Sequence, residues 1–206
     1  MAEREKLLDD LKSEHDVGVL LLAQLGGVPN ELQLFIQTAQ YDEATGGLRE
    51  RPGGYVIRCI STREHRLSLG LFGALFFADE HPILLHHNQP KLAVHFEGTP
   101  GNISELVLDV QQAYLSTFGP WRELAADLNR EQPLYRLLQG GGGLLGTMPK
   151  PAAERMIRVL EHHGMSGRLE GGSNSKPDPQ YKLLGVGDSY FVALDFAVDK
   201  MGKKQP

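Results

Sequence analysis

The sequence predicts an α+β fold: an antiparallel sheet of about five to seven strands, a helical block between the main strands, and a C-terminal hairpin. Three observations carry that reading. Period-two runs rich in β-branched and aromatic residues recur, most clearly at Tyr55–Thr62 (YVIRCIST). Helical periodicity is confined to residues 2–13 and to a block that starts at Ile103. Strands and helices do not alternate as βαβ units, and no segment repeats.

Taken in order, residues 2–13 read as a helix with Leu7, Leu8 and Leu11 on one stripe. Val17–Leu25 is apolar enough to be buried helix or buried strand, and Gly26, Gly27, Pro29 and Asn30 end it. Glu31–Asp42 alternates as a strand, and residues 43–54 form a loop. After the strand at Tyr55, Arg63-Glu64 is expected to turn the chain into His65–Phe77. That segment is apolar on both alternating faces, with Leu67, Leu69 and Leu71 opposite Phe72, Ala74 and Phe76. Such a strand is expected at the sheet centre, covered on both sides.

Lys91–Glu97 is a strand burying Leu92, Val94 and Phe96. Ile103–Thr117 is a helix with Asn102 as N-cap and Leu106, Val107, Val110 and Tyr114 inward. Further helical patterns fit 120–129 and 133–138. Pro151–His163 has Pro151 in its first turn and Gly164 as a left-handed stop. Gly167–Asp178 reads as a flexible loop. Tyr181–Val186 and Ser189–Val198 form the last hairpin, expected to rejoin the sheet.

The 206 residues suit one domain, 1–206, with a disordered tail at 200–206. Twenty-one basic against 26 acidic residues give a net charge of −5, and the only basic cluster is Lys200, Lys203 and Lys204, so nucleic acid is not an expected partner. The longest apolar run, Val17–Ala23, is too short to span a bilayer, and the charged N-terminus is unlike a signal peptide. No membrane partner is expected, and the cytoplasm is the expected compartment. The single cysteine, Cys59, precludes an internal disulfide and is expected in the core.

Four of eight histidines, His81, His86, His87 and His95, fall within fifteen residues. Their spacing lacks the HExxH and His-x-His patterns of metal sites. His95 and Glu97 share a strand face at roughly 7 Å and are the catalytic candidates. No cofactor is expected. Were one divalent metal to bind, His86, His95 and Glu97 would hold it, with Asp79 as a further carboxylate. His162 and His163 close a helix, where imidazole suits exposed carbonyls.

Gly141, Gly143 and Gly146 spell G-x-G-x-x-G, but a helical pattern precedes them and Pro149 follows. A hinge or close backbone approach is expected there, with a flap over a pocket as the functional version. Leu144, Leu145 and Met148 beside them are candidate partner contacts. Arg58, amid apolar neighbours, is expected to pair with Glu97 or Asp195, or to anchor a ligand. Ligand-binding candidates are therefore Arg58, Gly141, Gly143 and Asp195.

No catalytic pattern survives intact, so the leading expectation is a non-catalytic binding or protein-interaction domain of unknown ligand. A protein partner or self-association as a homodimer is expected, and a small molecule is a further ligand class. The alternative is a hydrolase using the His/Glu cluster at residues 79–97, with or without metal.

Overall fold

The computed structural model describes residues 3–172 and 180–201 of the chain. It is mixed α+β, with antiparallel sheets of six, four and three strands. Two compact units divide the chain: residues 1–80 with 181–206, and residues 81–180.

In the first unit, alternation of large apolar side chains makes long staves. Strand β1 (Asp16–Leu25) shows that the ambiguous run at Val17 is extended. β2 (Leu32–Asp42) pairs with it antiparallel and folds back on a short arm, β3 (Gly47–Glu50), inside the expected loop. β4 (Tyr55–Ile60) pairs with β2 and runs on into β5 (Glu64–Arg66). No hairpin turn forms at Arg63; its N–H donates to Val192 O at 2.8 Å, and the chain reverses only after Arg66. β6 (Gly70–Phe72) pairs with β1, and β7 (Leu75–Ala78) continues it.

The last hairpin does rejoin these strands. β11 (Lys182–Val186) pairs with β7, β12 (Ser189–Ala193) with β11 and β5, and β13 (Asp195–Lys200) with β4. The circuit β1, β2, β4–β5, β13–β12, β11, β7–β6 thus returns to β1. It is a closed barrel of six staves, which leaves few bare edges. Its interior gathers Leu20, Leu34, Ile57, Phe72, Leu184 and Phe191, one from each stave. Helix α1 (Glu3–Asp9) adds Leu7 to this core, and Tyr55 Oη donates to Asp10 Oδ2 at 2.7 Å just after it.

The doubly apolar 65–77 segment is not one covered central strand but three short pieces. Gly70, at φ +127°, and Gly73 interrupt it, and Leu67, Leu69 and Leu71 are exposed. The strands buried on both faces are β11 and β12 instead.

The second unit builds on β8 (Lys91–Glu97), flanked by β9 (Gly142–Pro149) and β10 (Ser166–Glu170). Leu92, Val94 and Phe96 alternate inward and pack in one cluster with helices α3 (Ile103–Phe118) and α5 (Lys150–His162). Asn102 caps α3 as expected, its Oδ1 accepting from Ser104 N and Glu105 N at 3.1 and 3.2 Å. The 120–129 pattern yields two 3-10 turns, Gly119–Trp121 and Leu124–Ala126, and a short helix, α4, covers Leu134–Gln139. Residues expected as loop from Gly167 are strand β10 up to Glu170; residues 173–178 of that loop lie outside the described residues. Of the tail expected at 200–206, Lys200 instead ends β13, and residues 202–206 lie outside the described residues.

Candidate functional site

Three places gather the side chains that could act. The first is a cleft of about 550 Å3 in the second unit, lined by His95, Glu97, Gly143, Ser166 and Arg168. Period-two alternation explains it. While Leu92, Val94 and Phe96 face the helices, His95 and Glu97 face the other way. Antiparallel register sets Arg168 opposite His95 and Ser166 opposite Glu97. His95 Nε2 lies 3.4 Å from Glu170 Oε2, which also takes Arg168 Nη2 at 3.2 Å. The Ser166 hydroxyl donates to Glu97 O at 3.3 Å. The structure therefore brings together His95, Glu97 and Gly143 from the predicted set and adds Ser166, Arg168 and Glu170. The His95, Arg168 and Glu170 side chains pair with one another in solvent, where such pairs contribute little.

The second place is buried. His81–Asn88 is not extended but a 3-10 turn (Pro82–Leu84) and a single helical turn, α2 (Leu85–Asn88). His86 turns inward and is buried. Its Nε2 lies 2.7 Å from Asp127 Oδ2, and Tyr114 Oη donates to the same oxygen at 2.7 Å. Burial pulls the His86 imidazole below its ordinary value despite the carboxylate, which makes it neutral with its proton on Nε2. Burial alone would raise Asp127, but the hydrogen bonds from His86 and Tyr114 outweigh it and hold the carboxyl low. A neutral imidazole thus donates to an anionic carboxylate. This triad joins α2, α3 and the 119–129 segment, and Asp127 O receives Thr147 N of β9 at 2.9 Å.

His86 does not line the cleft that holds His95 and Glu97. Among the described residues, no three His, Cys, Asp or Glu side chains gather as a metal site would require. His163, closing α5, bonds Asp109 Oδ2 at 2.8 Å.

The remaining candidates are scattered. Arg58 pairs across the β4–β13 ladder with Asp199 at 3.1 Å, not with Glu97 or Asp195. Asp195 takes Lys182 Nζ at 2.9 Å, a hydrogen bond that holds its carboxyl below the usual range. From Gly142 the glycine run is strand β9, and Gly141 O receives Gly98 N at 2.8 Å. Gly143 adopts φ +147°, open to glycine alone at little cost. At Gly146 a Cβ would stand 2.2 Å from Asp127 O, so the expected close backbone approach is real there. Leu145 and Met148 are fully buried in the second unit's core and present nothing to a partner.

The third place was missed as a unit by sequence reasoning, although its signal is compositional. Residues 17–30 and 67–78 contain no Asp, Glu, Lys or Arg in a chain that is 23% charged. The fold joins them: Val19 pairs with Leu71 and Leu20 with Gly70 where β6 meets β1. Around that seam Leu21, Leu22, Leu25, Leu67, Leu69 and Leu71 each expose 43–80% of their surface. Contiguous apolar patches beyond a few hundred Å2 are uncommon on monomers and mark contact sites. β6 covers β1 only at Gly18–Leu20. From Leu21 to Leu25, β1 has β2 on one side and, among the described residues, no ladder partner on the other.

The chain matches no protein-family model, no curated protein and no solved structure. No helix among the described residues is long and apolar enough to cross a membrane.

Proposed function

We propose that this chain is a non-catalytic protein-interaction domain whose contact surface is the uncharged face formed by β1, β6 and the Leu67–Leu69 turn. The observation that supports this reading is the exposure of six leucines around an open strand edge. Burying a leucine completely stabilises by about 1.5–3 kcal/mol. Half-exposed, each of the six retains roughly 1 kcal/mol to gain, or about 6 kcal/mol for the face before the costs of association. The hydrolase alternative has weaker support. His95 and Glu97 share a cleft, but His95 faces Glu170 and Glu97 is exposed.

Replacing Leu69 and Leu71 together by serine tests the reading. If the leucines serve contact rather than the core, the double variant keeps the wild-type denaturation midpoint and loses binding of an apolar fluorescent dye. A collapse of stability, or dye binding that persists unchanged, would count against it.

A further inference from the structure

We infer that the occupant of this face is a second copy of the same chain, joined edge to edge along Leu21–Leu25 of β1. The inference rests on the interaction reading above and names its partner.

Natural sheets protect bare edges with lysine, proline, an inward charge or a bulge. Leu21–Leu25 reads LLAQL, with no charge and no proline; the ladder to β2 bulges at Leu21 and is regular from Leu22 to Leu25. Among the described residues no strand covers that regular stretch, which presents a template for one more strand. Such pairing supplies main-chain hydrogen bonds, with side chains flanking the added strand for specificity.

An antiparallel edge is complementary to itself about a two-fold axis, which is how isologous dimers close. Pairing the regular stretch from Leu22 with its own copy places Ala23 on the axis and Leu22 opposite Gln24, with the bulged Leu21 and the terminal Leu25 at the two ends. The smallest of the five side chains is where the two copies approach most closely. Leu67, Leu69 and Leu71, each exposed, supply the apolar centre that homodimer interfaces show.

Two copies at net −5 repel, so a self-association surface must avoid bringing like charges together. Residues 17–30 and 67–78 do so. A basic or acidic partner would call for a charged anchor on this face, and neither segment provides one.

The test uses the full chain in sedimentation velocity from low to high micromolar concentration, with two variants. Leu25 is 80% exposed, so Leu25→Lys alters the face without emptying the core. Ala23→Cys reports register, because cysteines on the axis lie within disulfide reach, whereas Cys59 is buried. The expected result is a dimer that Leu25→Lys dissociates and that Ala23→Cys cross-links on oxidation. A control, Leu108→Lys on α3, leaves the dimer intact. A wild-type chain still monomeric at about 100 µM would overturn the inference. So would a dimer indifferent to Leu25→Lys, or one that Ala23→Cys fails to cross-link. A monomer that loses dye binding on the Leu69/Leu71 substitution defeats only the choice of partner. A monomer whose leucines prove structural defeats the interaction reading as well.

Discussion

Removing the Asp127 carboxylate should unfold the second unit at markedly lower denaturant. Asp127 Oδ2 accepts two hydrogen bonds at 2.7 Å, from His86 and from Tyr114, and both donors belong to buried residues. A hydrogen bond to a charged group contributes about 1.5–3 kcal/mol. Asp127→Ala removes both at once and leaves two buried donors without an acceptor, so it should cost about 3–5 kcal/mol. Asp127→Asn retains an acceptor oxygen and should cost about 1–2 kcal/mol, while Tyr114→Phe removes one bond and should fall between them. The only tryptophan, Trp121, reports on this segment, lying edge-on to His81 at 4.9 Å between ring centroids. Urea titration followed by Trp121 fluorescence therefore reads the unit that holds the triad. An Asp127→Ala variant within about 1 kcal/mol of wild type would refute the argument that this carboxylate pins the 119–129 segment.

Further outcomes follow from the same geometry. His86 and Asp127 both bind protons less tightly folded than unfolded. Their contribution is complete above the unfolded imidazole value of 6.5 and is lost as pH falls below it, with the carboxylate's share going below 3.8. The Trp121 midpoint should hold from pH 8 to about 7 and fall on acidification, and His86→Gln should remove the upper part of that fall. Gly146→Ala forces a methyl against Asp127 O and Leu128 Cα and should cost about 1–3 kcal/mol in the same assay; a neutral result would mean that the backbone there yields freely. Burial pushes the Cys59 thiol up to about 12, so a thiol reagent should label it only in denaturant. Rapid labelling of the native chain would place Cys59 outside the barrel core.

Local signals made much of the fold legible. β8 shows period-two burial over seven residues, and α3 begins at the Asn102 cap, because both depend on residues a few positions apart. The 65–77 segment misled for a physical reason. Its alternation is that of a covered strand, but the barrel needs a corner there, and the glycines at 70 and 73 interrupt it. The pairing of His86 with Asp127 spans 41 residues and leaves no trace in spacing. The tightest approach in the glycine run, at Gly146, leaves no local signal, because what approaches, Asp127, is distant in sequence. His95 and Glu97 were found on one face by simple alternation, while Arg168 and Glu170 were hidden in what reads as a glycine-rich loop. The contact face was readable as two charge-free segments, but only the β1–β6 register shows that they adjoin.

Amide hydrogen exchange across Leu22–Leu25, compared at low and high protein concentration, reads the proposed edge pairing itself. The amides of this stretch that point away from β2 should exchange freely in dilute solution and become protected as concentration rises. Identical exchange at both concentrations, with the rest of the barrel protected throughout, would show that no second copy pairs there.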